Sequence, residues 1–252
     1  MSLFGRKYAD GDRLDIAGAV VQLKVNGRTR RISLRLDRRQ RQIIASAPSV
    51  ALLSEAATFA RTRAQWIKDC LAALPEPVGF APGMTVHLFG QPCQLELAPH
   101  THRLLSAQSG EGLRIAGRGE GVAYARATLR TIQREALRVL TAQTEQHCQT
   151  LGVRLPSIAI MDARSRWGSC RAALPGKPAA IRYSWRLALA PLEIADYVAA
   201  HECAHLLELN HGPQFWAHVE SLVGDPRPYR AWLRAEGGRL HAIGLPGPVQ
   251  AV

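Results

Sequence analysis

The chain has 252 residues, of which 47% are hydrophobic and 21% are charged, and its formal net charge is +12. This length accommodates one large or two modest folded domains, and the hydrophobic fraction is ample for a core. The longest apolar stretches fall well short of the roughly 18 residues that a membrane-spanning helix requires, which argues against a membrane-embedded protein.

Residues 1–7 and the cysteine usage indicate the expected cellular location. Residues 1–7 lack the apolar core of a secretory signal. The five cysteines are odd in number and form no CxxC pair, a usage typical of a reducing compartment. We therefore expect a cytoplasmic protein without membrane contact.

The first part of the chain predicts a small β-rich region. Residues 14–48 alternate apolar and polar positions, as in Ile32–Leu36, and predict two or three strands with a turn at Asp37–Gln40. An apolar stripe at helical spacing then predicts one helix over about residues 54–74, ending before the prolines that follow.

Residues 84–190 predict further strands around a long helix. A hairpin is expected from Val86–Gly90 and Cys93–Leu97, followed by a glycine-rich connection. Residues 122–151 carry an amphipathic pattern typical of a long helix, and residues 157–190 predict the strands of a second sheet. We therefore predict two domains, residues 1–118 and 119–252.

An arginine-rich stretch from Arg28 to Arg41 accounts for much of the positive charge. On a small sheet it would form a basic face that could bind nucleic acid or a polyphosphate group. Arginine at alternating strand positions is also typical of a solvated face without a ligand. Nucleic-acid contact is therefore a hypothesis here.

The most informative stretch is His201-Glu202-Cys203-Ala204-His205. On a helix, residues four apart lie on the same face, so His201 and His205 can bind one metal ion. Glu202 is close enough to accept a proton from a water on that ion. This pattern, with a further histidine at the tenth residue after the first, is expected roughly 0.0005 times per chain of this composition. Coincidence is therefore a poor explanation.

A third ligand must come from beyond the straight helix. Asn210 tolerates left-handed backbone angles, and the break at Gly212 and Pro213 lets the chain turn back. We therefore rank His211 first as third ligand, with Glu220 and Glu208 behind it. Three protein ligands leave a coordination position open for water, which favours a catalytic zinc site over a structural one. Histidines buried without metal are the remaining alternative.

The sequence resembles the YgjP-like branch of the SprT-like zinc metallopeptidases. The segments that carry the resemblance are Arg164–Cys170, Ile181–Leu187, Ala190–Pro191, His201–His205, Asn210–Pro213 and Phe215–Trp216, with Arg28–Leu36 and Trp66–Ile67 upstream. In that family the two motif histidines and a later histidine bind zinc, and the motif glutamate is the general base. These roles correspond to His201, His205, His211 and Glu202, and all four positions keep the family's pattern.

The resemblance implies an α+β fold, in which a β-rich N-terminal region precedes a zincin-like core with the active-site helix packed on a small sheet. It also implies a Zn²⁺-dependent peptidase acting on a peptide or protein substrate. Two alternatives remain: a metal-dependent phosphohydrolase acting on nucleotides, and a non-catalytic metal-binding or nucleic-acid-associated module. For stabilisation of the oxyanion, the candidates are Arg166, Tyr183, His218 and Tyr229.

Overall fold

The computed structural model describes residues 8–37, 40–105, 112–163 and 166–244. The chain divides into two compact units, Met1–Glu76 and Pro77–Val252. Within the described residues, helices and three small sheets form a mixed α+β fold, as the sequence predicts. The division into domains 1–118 and 119–252 stays a prediction.

The first unit contains one four-stranded sheet and two helices. Its strands are β1 (Arg13–Ile16), β2 (Ala19–Val25), β3 (Ser33–Asp37) and β4 (Gln42–Ala47), in the order β1-β2-β4-β3. Strands β2 and β4 are parallel, and the other pairs are antiparallel. The predicted turn at Asp37–Gln40 lies partly outside the described residues.

Helices α1 (Leu53–Thr62) and α2 (Ala64–Ala72) cover this sheet. The sequence predicted one helix over this stretch. The two helices meet at Arg63, whose φ of −107° and ψ of 20° depart from helical values. The unit's core brings together buried side chains from strands and helices, including Val21, Leu23, Ile43, Leu53 and Ile67.

The basic stretch of this unit lies largely on its surface. Arg28, Arg30, Arg31 and Arg35 are exposed, whereas Arg41 donates a hydrogen bond to the Pro75 carbonyl (2.8 Å) and pairs with Glu76 (3.4 Å). Both readings of the sequence, a solvated face and a nucleic-acid contact, need exposed arginines. Nucleic-acid contact therefore stays a prediction.

The second unit begins with another four-stranded sheet. Its strands are β5 (Thr85–Leu88), β6 (Gln91–Leu97), β7 (Arg103–Leu105) and β8 (Leu113–Gly117), in the order β5-β6-β8-β7. Strands β5 and β6 form the predicted hairpin, whereas β6 and β8 are parallel. The long predicted helix follows as α3 (Gly121–Leu151) and ends at Gly152 in the left-handed conformation.

The remaining elements surround the candidate site. They are β9 (Ser157–Met161), β10 (Gly168–Arg171), β11 (Ala180–Ser184), α4 (Leu192–Ala204), α5 (Pro213–Val223) and α6 (Arg227–Ala242). The strands form a sheet in the order β10-β11-β9, which places β10 and β9 at its edges. Helix α4 packs against α3, α5, α6 and β10, so its faces are covered by protein.

No helix among the described residues combines the length and the apolar character that a bilayer crossing requires.

Candidate metal centre

Helix α4 supplies the first two histidines, and the way it ends sets their positions. Pro191 is the N-cap, and its missing N–H leaves no orphan donor. Fully buried alanines and Cys203 fill the faces that pack on neighbouring helices. The last helical residue is Ala204, and His205 is the C-cap. His201 and His205 therefore lie one turn apart, where the helix stops.

The chain then turns back to bring His211 to the same place. The N–H of Glu208 bonds to the Ala204 carbonyl (2.9 Å), and the N–H of Gly212 bonds to the Asn210 carbonyl (2.8 Å). Pro213 then opens α5. Asn210 was expected to favour this turn through left-handed backbone angles, but its φ is not positive. Successive short-range bonds reverse the chain instead.

The three imidazoles converge on one point. The Nε2 atoms of His201 and His211 are 3.2 Å apart. One ring nitrogen from each of His201, His205 and His211 lies within 4.8 Å of the others, the one such potential metal-binding group found in the described chain. Two nitrogens bound to a tetrahedral zinc at about 2.05 Å would be about 3.3 Å apart. The closest pair already has that spacing.

The surroundings favour the neutral form of His201 and His205. Burial, followed by the charges of His205, His211 and Arg230, lowers the pKa of His201 to about 3. Burial also lowers the pKa of His205, whose Nδ1 donates a hydrogen bond to the Glu208 carbonyl (3.0 Å). A neutral ring that donates through Nδ1 keeps its lone pair on Nε2. His205 is thus prepared to bind a cation through Nε2.

Phe215 forms the floor beneath the cluster. Its ring centroid lies 4.9 Å from that of His201 and 4.6 Å from those of His205 and His211, and the side chain is fully buried. Such packing limits the freedom of all three ligands. The sequence placed Phe215 in the second helix but gave no sign of this role, because the contact depends on the turn between α4 and α5.

The other proposed ligands lie outside the group. The carboxylates of Glu208 and Glu220 are not among the atoms that converge with the three imidazoles. Glu208 contributes through its backbone, as the acceptor for His205.

Glu202 lies on the buried side of α4, facing strand β10. Its side chain is 6% exposed. Burial raises its pKa to about 7, against an opposing effect from the charge of Arg166. A Cβ added to Gly168 would lie 2.6 Å from Cγ and 2.7 Å from Cδ of Glu202. The carboxyl group therefore occupies the space that a side chain at position 168 would need.

The remaining sequence candidates differ in position. The hydroxyl of Tyr183 is buried against Thr144 Oγ1 (2.8 Å), and Tyr229 donates to the Val223 carbonyl (3.3 Å). His218 is half-buried on α5 and is not part of the histidine cluster. Arg166 is exposed and acts electrostatically on Glu202. Of the four candidates, Arg166 is thus the one whose charge lowers the pKa of Glu202.

Trp167 packs against helix α6. Its ring stacks on His241 with a centroid distance of 4.8 Å, and a Cβ added to Gly237 would lie 3.0 Å from it. Both neighbours belong to α6. The tryptophan therefore anchors the start of β10 to α6, while Gly168 faces Glu202.

The group fits a divalent cation of the zinc type. Within the described chain it offers three imidazole nitrogens and no carboxylate, the donor set of known catalytic zinc sites with three histidines. Nδ1 of His201 is buried and has no hydrogen-bond partner within the described chain. With Nδ1 protonated, the Nε2 of this ring would be free to bind the ion.

The buried Glu202 predicts a stability cost in the metal-free protein. Its folded-state pKa of about 7 lies above the ordinary 4.5. Its contribution to stability is therefore complete below pH 4.5 and is lost as the pH rises through 7. At pH 8, metal-free Glu202→Gln should be more stable than wild type by up to ~3 kcal/mol. Denaturant unfolding after chelation measures this difference.

The pH dependence of this stability difference shows whether it comes from the charge of Glu202 or from side-chain packing. His201 is present in both chains, so its own titration cancels. Most of the advantage of Glu202→Gln should disappear by pH 5, where the wild-type carboxyl is protonated in the folded state. An equal advantage at pH 5 and pH 8 would attribute it to packing and contradict the raised pKa.

Comparisons with known proteins place the chain in a family. A family model described as YgjP-like, metallopeptidase domain, matches residues 30–236. No curated protein matches the chain. Among solved structures, a metallopeptidase zymogen, Pyrococcus abyssi abylysin, aligns at 20% identity over 39% of this chain and 92% of that one, with a TM-score of 0.32. Since the family model matches most of this chain, the chain belongs to the YgjP-like metallopeptidase family.

Proposed function

We propose that this chain is a zinc-dependent peptidase of the HExxH type, in which His201, His205 and His211 hold the cation and Glu202 is the general base. The observation that carries the proposal is the convergence of three imidazoles beside a buried carboxyl group. The family assignment supports a peptide or protein as substrate. It favours peptide-bond hydrolysis over the nucleotide phosphohydrolase and the binding module considered from the sequence.

A bound zinc ion would polarise the substrate carbonyl and lower the pKa of a coordinated water. Glu202 takes the proton as water attacks the peptide carbonyl and returns it to the departing amine. A base with a pKa near the working pH serves both steps, because it gains and loses a proton at little cost. Without the cation, burial raises the pKa of Glu202 to about 7, opposed by the charge of Arg166.

The edge strand β10 is the proposed support for the substrate backbone. Its one partner in the sheet is β11, and Gly168 is its first residue. An extended peptide pairing with the free side of β10 would run past Glu202, in the usual strand-addition mode. Gly168 would then place the scissile bond near the base, since it carries no side chain between them.

The metal content of His211→Ala tests the ligand assignment. We expect about one zinc per wild-type chain after reconstitution, and a sharp loss in His211→Ala, because two remaining imidazoles hold zinc weakly. His218→Ala is the matched control, since this half-buried histidine of α5 lies outside the cluster. Elemental analysis of untagged protein provides the measurement.

Peptide-library cleavage by the same samples tests the activity. Wild type and His218→Ala should cut peptides, and His211→Ala should not. Absence of zinc from reconstituted wild type would overturn the proposed centre. Zinc binding without cleavage of any library member would overturn the peptidase assignment and leave the metal site standing.

A further inference from the structure

A second site with the character of a ligand pocket lies along the first half of α3. A cavity of about 970 Å³ is bounded on one side by α3, from Ala123 to Leu137, and on the other by the end of β9, at Ile160 and Met161. His201, His205, His211 and Glu202 are not among its lining residues. A cavity of this size suits an organic ligand or a peptide segment more than a single small ion.

Uncompensated positive charge lines this cavity. Arg118, Arg130 and Arg134 line it, and none of them forms an ion pair within the described chain. The guanidinium of Arg134 is held in place, since it donates hydrogen bonds to the His102 carbonyl (3.3 Å) and to Thr131 Oγ1 (3.2 Å). Both acceptors are neutral, so its charge is left for a ligand.

Two further features favour an anion. The α3 N-terminus opens onto the cavity through Gly119 and Ala123, and the N-cap residue Glu120 makes no side-chain capping hydrogen bond. The positive end of this 31-residue helix is thus directed there. The carboxylate found among the described lining residues, Asp162, already accepts hydrogen bonds from Arg186 (2.5 Å) and Trp185 (3.2 Å).

The floor of the cavity is apolar, and the end of the edge strand β9 forms part of its far wall. Ala127, Leu137 and Ile160 supply hydrocarbon between the arginines. Among the described residues, strand β9 pairs with β11 and lies at the edge of its sheet. A strand at an edge has backbone N–H and C=O groups available for pairing with another extended chain. The wall therefore suits a peptide backbone, and the arginines suit its side chains.

The spacing of the arginines defines the complementary sequence. Arg130 and Arg134 are one helical turn apart, about 6 Å along the axis. In an extended chain, alternate residues point to the same face and lie about 6.6 Å apart. Two acidic residues separated by a single residue would therefore match the two guanidinium groups. The length of α3 along the cavity, about 21 Å from position 123 to position 137, accommodates about six extended residues.

We propose that this groove binds an extended acidic peptide, with carboxylates at alternate positions facing Arg130 and Arg134 and the backbone added to the edge of β9. The occupant is a segment of a protein substrate or partner recognised away from the scissile bond. Peptide as the ligand class follows from the strand edge and agrees with the family assignment. Binding itself needs no catalysis, so it can stand or fall independently of the proposed peptidase activity.

Fluorescence anisotropy with the full-length Glu202→Gln chain tests this proposal. The probe is a fluorescein-labelled octapeptide in which Glu alternates with Thr. We expect saturable, salt-sensitive binding, weakened at least tenfold when each Glu of the peptide is replaced with Gln. Placing the same Glu residues consecutively should also weaken binding. The Glu202 substitution keeps the probe intact, and if the peptidase assignment fails the binding result is unaffected.

Charge-matched variants locate the site. Arg130→Gln combined with Arg134→Gln should weaken binding at least tenfold. Arg138→Gln combined with Arg154→Gln removes the same charge outside the cavity and should leave binding within twofold. Circular dichroism checks that both double variants fold. If Arg130→Gln with Arg134→Gln does not fold, Arg130→Lys with Arg134→Lys replaces it, because lysine keeps the charge but cannot form a bidentate contact.

Three outcomes would overturn the proposal. They are equal binding of the acidic and neutral peptides, equal weakening by both arginine pairs, and no peptide binding at all. Sodium tripolyphosphate provides a further test. If it binds through Arg130 and Arg134 while peptides do not, the groove takes a phosphate ligand instead, and the peptide assignment is wrong.

Discussion

Replacing Glu202 with Gln is expected to lower the rate of peptide cleavage by about 10²- to 10⁴-fold, the usual contribution of a general base. Gln has nearly the same shape but cannot take the proton. The three imidazoles keep their positions, so zinc content should stay at the wild-type level. The effect should appear in kcat more than in KM, because the carboxylate acts in the transition state.

Glu208→Gln provides the control for this change. Glu208 lies on the same segment, and its backbone carbonyl accepts the His205 hydrogen bond, but its carboxylate is not part of the converging group. Its conversion to Gln should leave both zinc content and cleavage near the wild-type values. Substantial cleavage by Glu202→Gln with full zinc would exclude Glu202 as the base.

Gly168→Ala is expected to reduce cleavage nearly as severely, although position 168 carries no functional group. The added Cβ would lie 2.6 Å from Cγ of Glu202, closer than real carbon atoms pack. Either Glu202 leaves its position or β10 moves away from α4, and each misplaces the base relative to the substrate. Because misplacement by about 1 Å can cost 10²-fold, we expect a loss of that order or greater.

Zinc content and a second glycine distinguish this steric effect from general damage. Gly168→Ala should retain zinc, since the histidines are on α4 and the turn that follows. Gly212→Ala is the control: it lies beside His211, and a Cβ there would have no atom within 4 Å. It should cleave peptides nearly as well as wild type. Full activity in Gly168→Ala would show that Glu202 does not need its present position.

Local patterns predicted the parts of the site that depend on short-range spacing. His201, His205 and His211 share a group because one helical turn and one chain reversal bring them together, and both are visible in the sequence. The long helix Gly121–Leu151 and the β5–β6 hairpin were predictable for the same reason. Whether the histidines bind zinc stays a prediction for the experiments above.

The parts that escaped prediction depend on distant contacts. The close contact between Gly168 and Glu202 becomes visible only when β10 is placed against α4. The contact of Phe215 with three imidazoles follows from the packing of α5, and composition gave no sign of it. Each sheet also contains one parallel pair, between strands separated along the chain. Such pairings are set by the tertiary fold, since alternation of apolar residues does not identify a strand's partner.

The residues that would bind the ion lie close together in the sequence, whereas the residues that would use it for catalysis lie far apart. The three imidazoles come from one stretch of 11 residues, whereas Gly168 precedes Glu202 by 34 residues. Closing the short loop costs less entropy than docking the distant strand. During folding, a cation could therefore be captured before β10 reaches Glu202. A preparation with β10 undocked would then carry a full complement of metal and cleave nothing, so metal loading alone would overstate the fraction of competent enzyme.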